Sequence, residues 1–307
     1  MEIQLPIEID NILKEIRSDN TSGAAELAKN AAECYNLLLD EIDPASAEQL
    51  KKYIIATSQK LIQTQPAMAP LFNLANDILF GIDGVVELDL IRQEANRIVN
   101  DFVANLKHSE EQLTKNTLEL VQDRSVIMNY SYSSTVLNAL LQARKAGHTV
   151  EVICSESRPV CEGVNLANRL AQEGIKVTLV VDSTLFSLIS KADIIIVGAD
   201  SISRDGVVNK IGTSALAVAA QEYGIGFYSL CGSQKFLPGE YKIDLEDPKD
   251  PLEILSEPIE NVEVKNLYFD MTPLDYVTGV VTEEGVIKAD ELLTRLEGLK
   301  VHPSLIL

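Results

Sequence analysis

The sequence is poor in the residues that mark several common classes of protein. It has only four cysteines, without any C-x-x-C pair, and its three histidines lie far apart in the chain. This composition argues against a structural zinc site and is typical of a reduced protein with buried thiols. The residues concerned are Cys34, Cys154, Cys161, Cys231, His108, His148 and His302.

Long apolar runs are also missing. Runs such as 194–199 are far too short to span a bilayer. The first residues show no basic segment followed by an apolar core, which a signal peptide would have. We therefore expect a cytoplasmic protein without a membrane partner.

Positive charge is scarce. The chain has 26 Lys and Arg against 46 Asp and Glu, a formal net charge of −20. An acidic surface repels phosphate backbones, so general nucleic-acid binding is not expected. A local basic pocket for a small phosphorylated ligand stays open.

Glycine and proline are sparse, and the glycine motifs of nucleotide-binding proteins are absent. The 16 glycines and 11 prolines are spread over 307 residues, which gives no sign of a long disordered region. Neither G-x-G-x-x-G after a strand nor G-x-x-x-x-G-K-[ST] occurs, so a dinucleotide-binding domain and a nucleotide hydrolase are not supported. No metal or redox cofactor is predicted. A hydrophobic content of 46% suffices for two domains.

Residues 1–118 are predicted to form a helical domain that ends in a long connecting helix. Apolar residues recur there at helical spacing, and no segment has the pattern of a strand. Asn20, Thr21 and Ser22 are candidate caps for the second helix, and Ser46 or the Asp43-Pro44 pair starts the third. The predicted helices are 7–16, 23–42, one from about 46, 71–79 and 86–118.

Residues 119–307 are predicted to form a Rossmann-like α/β domain. Short β-branched runs alternate with helices, which indicates an open, doubly wound parallel sheet that binds its ligand at the carboxyl ends of the strands. The predicted strands are 125–129, 149–155, 176–182, 193–200, 226–231, 264–270 and 278–285. The predicted helices are 133–146, 162–173, 184–190 and 213–223.

The residues that follow these strands carry the candidate chemistry. The turn 129–134 is rich in hydroxyls but has no Cys, His or Asp, so it either binds a ligand or has lost a catalyst. Arg158 and Lys235 are candidate phosphate ligands. The alternative for Arg158 is an exposed loop arginine or an ion pair with Glu156, and the alternative for Lys235 is an ordinary surface lysine.

Two further strand ends carry candidates. Asn209 and Lys210 precede Gly212-Thr213, which look like a helix start that attracts anions, although an ordinary capped helix fits equally well. Asp200 follows a buried run and is either a general acid/base or a brace for the next turn.

Several of these segments together resemble the initiation-factor-2B-related family. That family includes the α, β and δ subunits of eukaryotic initiation factor 2B, 5-methylthioribose-1-phosphate isomerase and ribose-1,5-bisphosphate isomerase. The resemblance covers almost the whole chain and implies the fold described above. The segments are 156-ESRP-159, 174-GIKVTLVVDS-183, 194-IIIVGADSI-202, 205-DGVVNKIGT-213, 227-FYSLCGSQKF-236 and 267-LYFDMTPLDYVTGVVTEEG-285.

The resemblance to the isomerases implies a role for each candidate. It makes Asp200 the catalytic acid/base, Asn209 and Lys210 substrate contacts, and Arg158, Lys235 and Ser133 phosphate ligands. The isomerases' second catalytic group is a cysteine, at whose position this chain has Ser131.

Two family arginines are also absent. The family's Arg-Gly-Ala corresponds to Ser22-Gly23-Ala24, which leaves Ser22 and Gly23 as candidate phosphate contacts, and its Arg-Pro-Thr corresponds to Gln65-Pro66-Ala67. We therefore expect a bisphosphate to bind less well.

Three functional hypotheses follow from the resemblance. The first is a sugar-phosphate-binding protein like the α subunit of initiation factor 2B, without efficient isomerase activity. The second is an active aldose–ketose isomerase of a phosphorylated pentose that uses Asp200. The third is a structural assembly subunit with an empty pocket. The expected partners are a phosphorylated sugar or nucleotide-derived small molecule, a second copy of the chain in a dimer or dimer-based oligomer, and a translation factor.

Overall fold

The first part of the chain is helical. The computed structural model describes residues 3–19, 22–243, 245 and 248–306, and no strand occurs among the described residues up to 118. The helices here are α1 Ile7–Ser18, α2 Ala24–Glu41, α3 Ala47–Thr64, α4 Ala69–Gly81 and α5 Leu88–Leu118. The predicted caps Asn20 and Thr21 lie outside the described residues. The N-cap residue of α2 is Gly23 and not the third candidate, Ser22.

Local sequence explains where these helices begin and how they pack. The Ser46 side chain accepts a hydrogen bond from the Gln49 backbone N–H and caps α3. Pro70 occupies the first turn of α4, where a missing N–H costs nothing. The 31 residues of α5 bury Ile91, Ala95, Val99, Phe102, Leu106 and Leu113 on one face.

The second part contains a seven-stranded sheet of order β10-β9-β7-β4-β1-β2-β3. All neighbouring pairs are parallel except β9 with β10, which forms a hairpin. Its strands are β1 Val126–Asn129, β2 Glu151–Ser155, β3 Lys176–Val180, β4 Ile194–Val197, β7 Gly226–Leu230, β9 Gly279–Thr282 and β10 Gly285–Ile287. The chain order reverses between β1 and β4, so a crevice for a ligand is expected where these two strands end.

Helices cover both faces of this sheet, as predicted. They are α6 Ser134–Lys145, α7 Glu162–Gln172, α8 Thr184–Leu188, α9 Thr213–Glu222 and α10 Ala289–Gly298. The sequence pattern did not predict α10, which buries Leu292 and Leu296. The described helices include none that is both long and apolar enough to cross a membrane.

A second sheet corrects the predicted organisation. Residues 206–210, which were not among the predicted strands, form a strand between two antiparallel neighbours, in the order β5-β6-β8. The predicted strand 264–270 begins only at Phe269. The three strands of this sheet are β5 Ser201–Ser203, β6 Gly206–Lys210 and β8 Phe269–Thr272.

The division of the chain at residue 118 stays a prediction. Helix α5 ends at Leu118 and the first strand begins at Val126. Val301 and Leu305, near the other end of the chain, nevertheless pack into the hydrophobic core of α1–α5.

Candidate functional site

The ends of β1 and β4 approach each other closely, as the strand order requires. A Cβ atom at Gly198, just after β4, would lie 2.8 Å from the Cβ and Oγ of Ser133. Only glycine permits this approach. Ser133 itself caps α6, because its Oγ accepts a hydrogen bond from the Val136 backbone N–H.

The turn after β1 has a strained backbone. Ser131 has φ of 69°, in the left-handed region that residues with a side chain rarely adopt. Its backbone N–H donates to the Oγ of Ser157, which also has a positive φ of 63°. Two adjacent turns that hold such backbones point to a functional site.

The Ser131 side chain belongs to a buried polar group that we call the Glu162 cluster, formed by Ser131, Glu162 and Lys210. Ser131 Oγ donates to Glu162 Oε1 at 3.0 Å, and Lys210 Nζ lies 2.9 Å from the same oxygen. The Lys210 side chain is 6% exposed and that of Glu162 is 20% exposed. Glu162 Oε2 is buried without a hydrogen-bond partner among the described residues.

Two neighbours complete the surroundings of Lys210. Its Nζ lies 4.6 Å from the centroid of the Tyr268 ring, which stabilises the cation by a cation–π interaction. Asn209, beside it in β6, donates from Nδ2 to Thr213 Oγ1 at 3.0 Å. The predicted substrate contacts Asn209 and Lys210 therefore lie in β6, and Lys210 is joined to Ser131 through Glu162.

The start of α9 is already occupied by a carboxylate. Asp270 in β8 accepts hydrogen bonds from the backbone N–H groups of Gly212 and Ser214. Burial raises the pKa of Asp270 to about 6, although these hydrogen bonds lower the pKa. The free N–H groups at this helix start therefore bind the protein's own carboxylate, whereas the sequence had suggested an external anion or an ordinary cap.

Asp200 and Lys235 lie at the ends of β4 and β7. The Asp200 backbone N–H donates to the Val208 carbonyl at 2.8 Å, and its carbonyl accepts from the Ala69 N–H at 3.2 Å. Lys235 is 5% exposed, and its Nζ donates to the carbonyl of Ala199, next to Asp200. The candidate acid/base and a candidate phosphate ligand are therefore adjacent.

A cavity of about 760 Å³, which we call the α2–α6 cavity, opens between the helical part and the sheet. Four cationic and two anionic residues line it, so it is locally basic in a chain of net charge −20. Its polar lining includes Ser22, Gly23, Lys29, Lys107, Tyr132, Ser134, Thr135, Arg169 and Lys235.

The α2–α6 cavity is lined by the N-termini of two helices. Gly23 begins α2 without a side-chain cap, and Ser134 is the first residue of α6. The N-terminus of a helix attracts anions through its free N–H groups and its dipole. Arg169 adds a cation, and its guanidinium donates to the Tyr132 hydroxyl at 2.7 Å.

Arg158 lies apart from these groups. The described residues that line the α2–α6 cavity include neither Arg158 nor Asp200 nor the three residues of the Glu162 cluster. Its guanidinium donates to the Glu253 carbonyl at 3.1 Å, and its backbone N–H donates to Asp182 at 2.9 Å. Asp182 thus braces the loop after β2. The role of Arg158 stays a prediction.

Sequence reasoning missed Glu162, Arg169 and Asp270. Glu162 follows the 156-ESRP-159 segment by three residues and is the first residue of α7. Because β1 and β2 are neighbours, residues after β2 must lie close to Ser131, and this signal could have identified Glu162. Asp270 lay at the end of a predicted strand, but nothing in the sequence indicated that β8 pairs with β6.

Comparisons with known proteins show the family of this chain. A sequence profile described as the initiation factor 2 subunit family matches residues 20–289. An eIF-2B subunit 2-like protein of Pyrococcus furiosus is 33% identical over 286 residues, which cover 92% of this chain and 97% of that protein. The ribose 1,5-bisphosphate isomerase of Archaeoglobus fulgidus is 33% identical over 288 residues, 91% of this chain and 90% of the isomerase.

Solved structures show the same fold. The translation initiation factor eIF-2B of Pyrococcus horikoshii OT3 superimposes with a TM-score of 0.81 at 33% identity, over 92% of this chain and 98% of that chain. The 5-methylthioribose 1-phosphate isomerase of the same organism gives a TM-score of 0.74 over 95% of this chain and 88% of that chain. Its identity of 24% supports the fold alone.

Proposed function

Because the chain belongs to the initiation factor 2 subunit family, we propose that it is an initiation-factor-2B-α-like protein that binds a phosphorylated sugar without efficient isomerase activity. The observation that carries this proposal is the Glu162 cluster. Ser131 stands where the isomerases have their cysteine, and its hydroxyl is hydrogen-bonded to Glu162.

A serine in this environment is a poor substitute for a thiol. A thiol exchanges protons near neutrality, whereas a hydroxyl needs a strong base. Glu162 accepts a hydrogen bond from the hydroxyl, but a carboxylate is in general far too weak a base to remove a hydroxyl proton. The thiols of Cys154 and Cys231 do not replace the missing one, because burial raises the pKa of each to about 12.

The charges around the site favour one phosphate over two. The α2–α6 cavity supplies two helix N-termini and Lys235 for a first phosphate. At the Glu162 cluster, the carboxylate compensates the charge of Lys210 and would repel a second phosphate. The orphan oxygen of Glu162 instead suits a sugar hydroxyl, which can donate a hydrogen bond. Together with the two missing arginines, this favours a sugar monophosphate.

The experiment combines a binding assay with NMR of the ligand. The purified protein is screened by thermal shift against ribose 5-phosphate, ribose 1,5-bisphosphate, methylthioribose 1-phosphate and nucleoside monophosphates, and each ligand that stabilises it is followed by NMR for hours. We expect a stabilising ligand that stays chemically unchanged. Ser131→Cys is the comparator, which should bind equally well and gain turnover. Rapid conversion of an aldose to a ketose by the unmodified protein would contradict the proposal.

An aldose–ketose isomerase is the second candidate, favoured by the adjacency of Asp200 and Lys235 at the strand ends. In that case Asp200 moves the proton between neighbouring carbons of the opened sugar. Asp200→Asn should then abolish turnover, measured by NMR, while ligand binding persists. Unchanged turnover would exclude Asp200 as the acid/base.

A cytoplasmic dimer completes the proposal. The sheet edge formed by β3 exposes Leu179, which is 44% accessible, and Val181, which is 52% accessible, and α8 exposes Phe186. Isolated exposed apolar residues are ordinary, but an apolar edge strand is a common association surface. This surface supports association of two copies, or of one copy with a related translation-factor subunit, through the α/β part. Sedimentation analysis of the purified chain tests the homodimer.

A further inference from the structure

The loop that carries Lys235 is held by a side chain of the helical part. Asn73 in α4 donates from its single Nδ2 to two backbone carbonyls, Gln234 at 2.6 Å and Phe236 at 2.8 Å. These two residues flank Lys235 on both sides. The amide therefore fixes the backbone from which the lysine side chain extends.

Only one orientation of this amide satisfies the loop. A carbonyl oxygen accepts hydrogen bonds and cannot donate them, so a flipped Asn73 would aim its own oxygen at two others. Neither Asp nor Ala could replace both contacts. Asn73 thus has a specific chemical task, beyond filling space.

The same helix also contacts the other side of the site. The Ala69 backbone N–H, at the start of α4, donates to the Asp200 carbonyl at 3.2 Å. One turn later, Asn73 holds the loop of Lys235. Lys235 in turn donates to the Ala199 carbonyl, so α4, Asp200 and Lys235 form a closed set of contacts.

We propose that Asn73 is a positioning residue that holds Lys235 in the α2–α6 cavity and makes ligand affinity depend on the docking of α4. The cation can contribute fully to anion binding only if its backbone is fixed before the ligand arrives. A displacement of α4 against the sheet moves both Lys235 and the backbone of Asp200. The affinity part of this inference rests on the proposed function, whereas the control of the loop does not.

The chain offers a matched control on the same helix. Asn76, three residues later, donates from Nδ2 to the Lys300 carbonyl at 3.0 Å and accepts from the His302 N–H at 2.8 Å. Its two hydrogen bonds go to residues 300 and 302 rather than to the loop of Lys235. Asn73→Ala and Asn76→Ala therefore remove equivalent amide contacts from one helix, and only the first touches the site.

The first arm measures ribose 5-phosphate affinity by NMR titration in wild type, both Asn variants, Lys235→Met and the double variant Asn73→Ala/Lys235→Met. We expect Asn73→Ala to weaken binding about tenfold, the value of a hydrogen bond or two, and Asn76→Ala to weaken it less than about twofold. In the Lys235→Met background, Asn73→Ala should have almost no further effect. The proposal would be overturned if the two Asn variants lost affinity equally. It would also be overturned if Asn73→Ala still weakened binding about tenfold in the Lys235→Met background.

The second arm needs no ligand. Hydrogen exchange of the Lys235 and Phe236 backbone amides should accelerate in Asn73→Ala and stay unchanged in Asn76→Ala. If wild type does not bind ribose 5-phosphate but hydrogen exchange in Asn73→Ala accelerates as expected, the proposed function fails and the positioning role of Asn73 is supported. If hydrogen exchange is unchanged in Asn73→Ala, the positioning role is refuted whatever the binding result.

Discussion

The Glu162 cluster and the α2–α6 cavity treat charge in opposite ways. In the cluster, a buried lysine, a carboxylate and a hydroxyl satisfy one another within 3.0 Å. In the cavity, two helix N-termini and four cationic side chains, against two anionic ones, surround about 760 Å³ of open space. The first is compensated internally, and the second leaves positive potential available to a ligand.

This difference teaches how a strongly acidic protein can bind a phosphate. Anion affinity depends on where positive charge is left uncompensated, since a lysine already paired with a carboxylate has little attraction left for a phosphate. The pair Asn209-Lys210 is therefore a weaker indication of phosphate binding than Lys235 and the helix N-termini are. The cluster is better suited to recognise hydroxyl groups, and the cavity to bind charge.

Removing the charge of Lys235 is expected to have the largest effect on ligand affinity. Lys235→Met keeps the apolar stem of the side chain and removes its charge, so affinity for ribose 5-phosphate should fall by about 2 kcal/mol, or ~30-fold. Isothermal titration calorimetry measures this loss. Lys107→Met is the matched control, because Lys107 also lines the cavity but is exposed to solvent, and its loss should cost little. Similar losses in both variants would show that the cavity has no specific cation.

Removing the carboxylate of the Glu162 cluster should change selectivity. Glu162→Gln keeps the shape and frees the charge of Lys210, so affinity for ribose 1,5-bisphosphate should rise about tenfold relative to ribose 5-phosphate. Competition titrations with the two sugars give this ratio. Glu26→Gln is the control, since Glu26 lines the α2–α6 cavity and pairs with exposed Lys29 at 3.0 Å. An unchanged ratio in Glu162→Gln would mean that Lys210 does not face the second phosphate.

The fold was predictable where pattern is local. Six parallel strands and the helices between them follow from apolar runs and helical spacing, and the long helix α5 follows from its buried stripe. The second sheet was not predictable, because β6 pairs with β8 across about sixty residues of chain and is buried on both faces. Helix α10 was missed although its pattern is amphipathic.

The candidate site was predictable in part. Strand ends identified Ser131, Asp200, Asn209, Lys210 and Lys235. Ser131, Asp200 and Lys235 follow strands of the seven-stranded sheet, whereas Asn209 and Lys210 lie in β6 of the second sheet. Side-chain partners depend on strand order and could not be derived in the same way. The pairing of Glu162 with Lys210 and of Asn73 with the Lys235 loop joins residues far apart in sequence.

The smallest expected effect concerns the carboxylate that occupies the start of α9. Burial raises the pKa of Asp270 to about 6 from its ordinary value of 3.8. Between these two pH values the folded protein therefore holds a proton that the unfolded chain has lost. Stability therefore falls as pH rises from about 4 to about 6, and this contribution stays unfavourable above pH 6.

Asp270→Asn cannot ionise, so it should remove this fall in stability. Its side-chain oxygen still accepts one of the two backbone N–H bonds at the helix start, from Gly212 or Ser214. The free energy of unfolding, measured with urea at pH 4.5 and pH 6.5, should therefore change less with pH in the variant than in wild type, by about 1 kcal/mol. An identical pH dependence in both proteins would mean that Asp270 is ionised throughout this range and binds α9 as a permanent anion, as the Glu162 carboxylate binds Lys210.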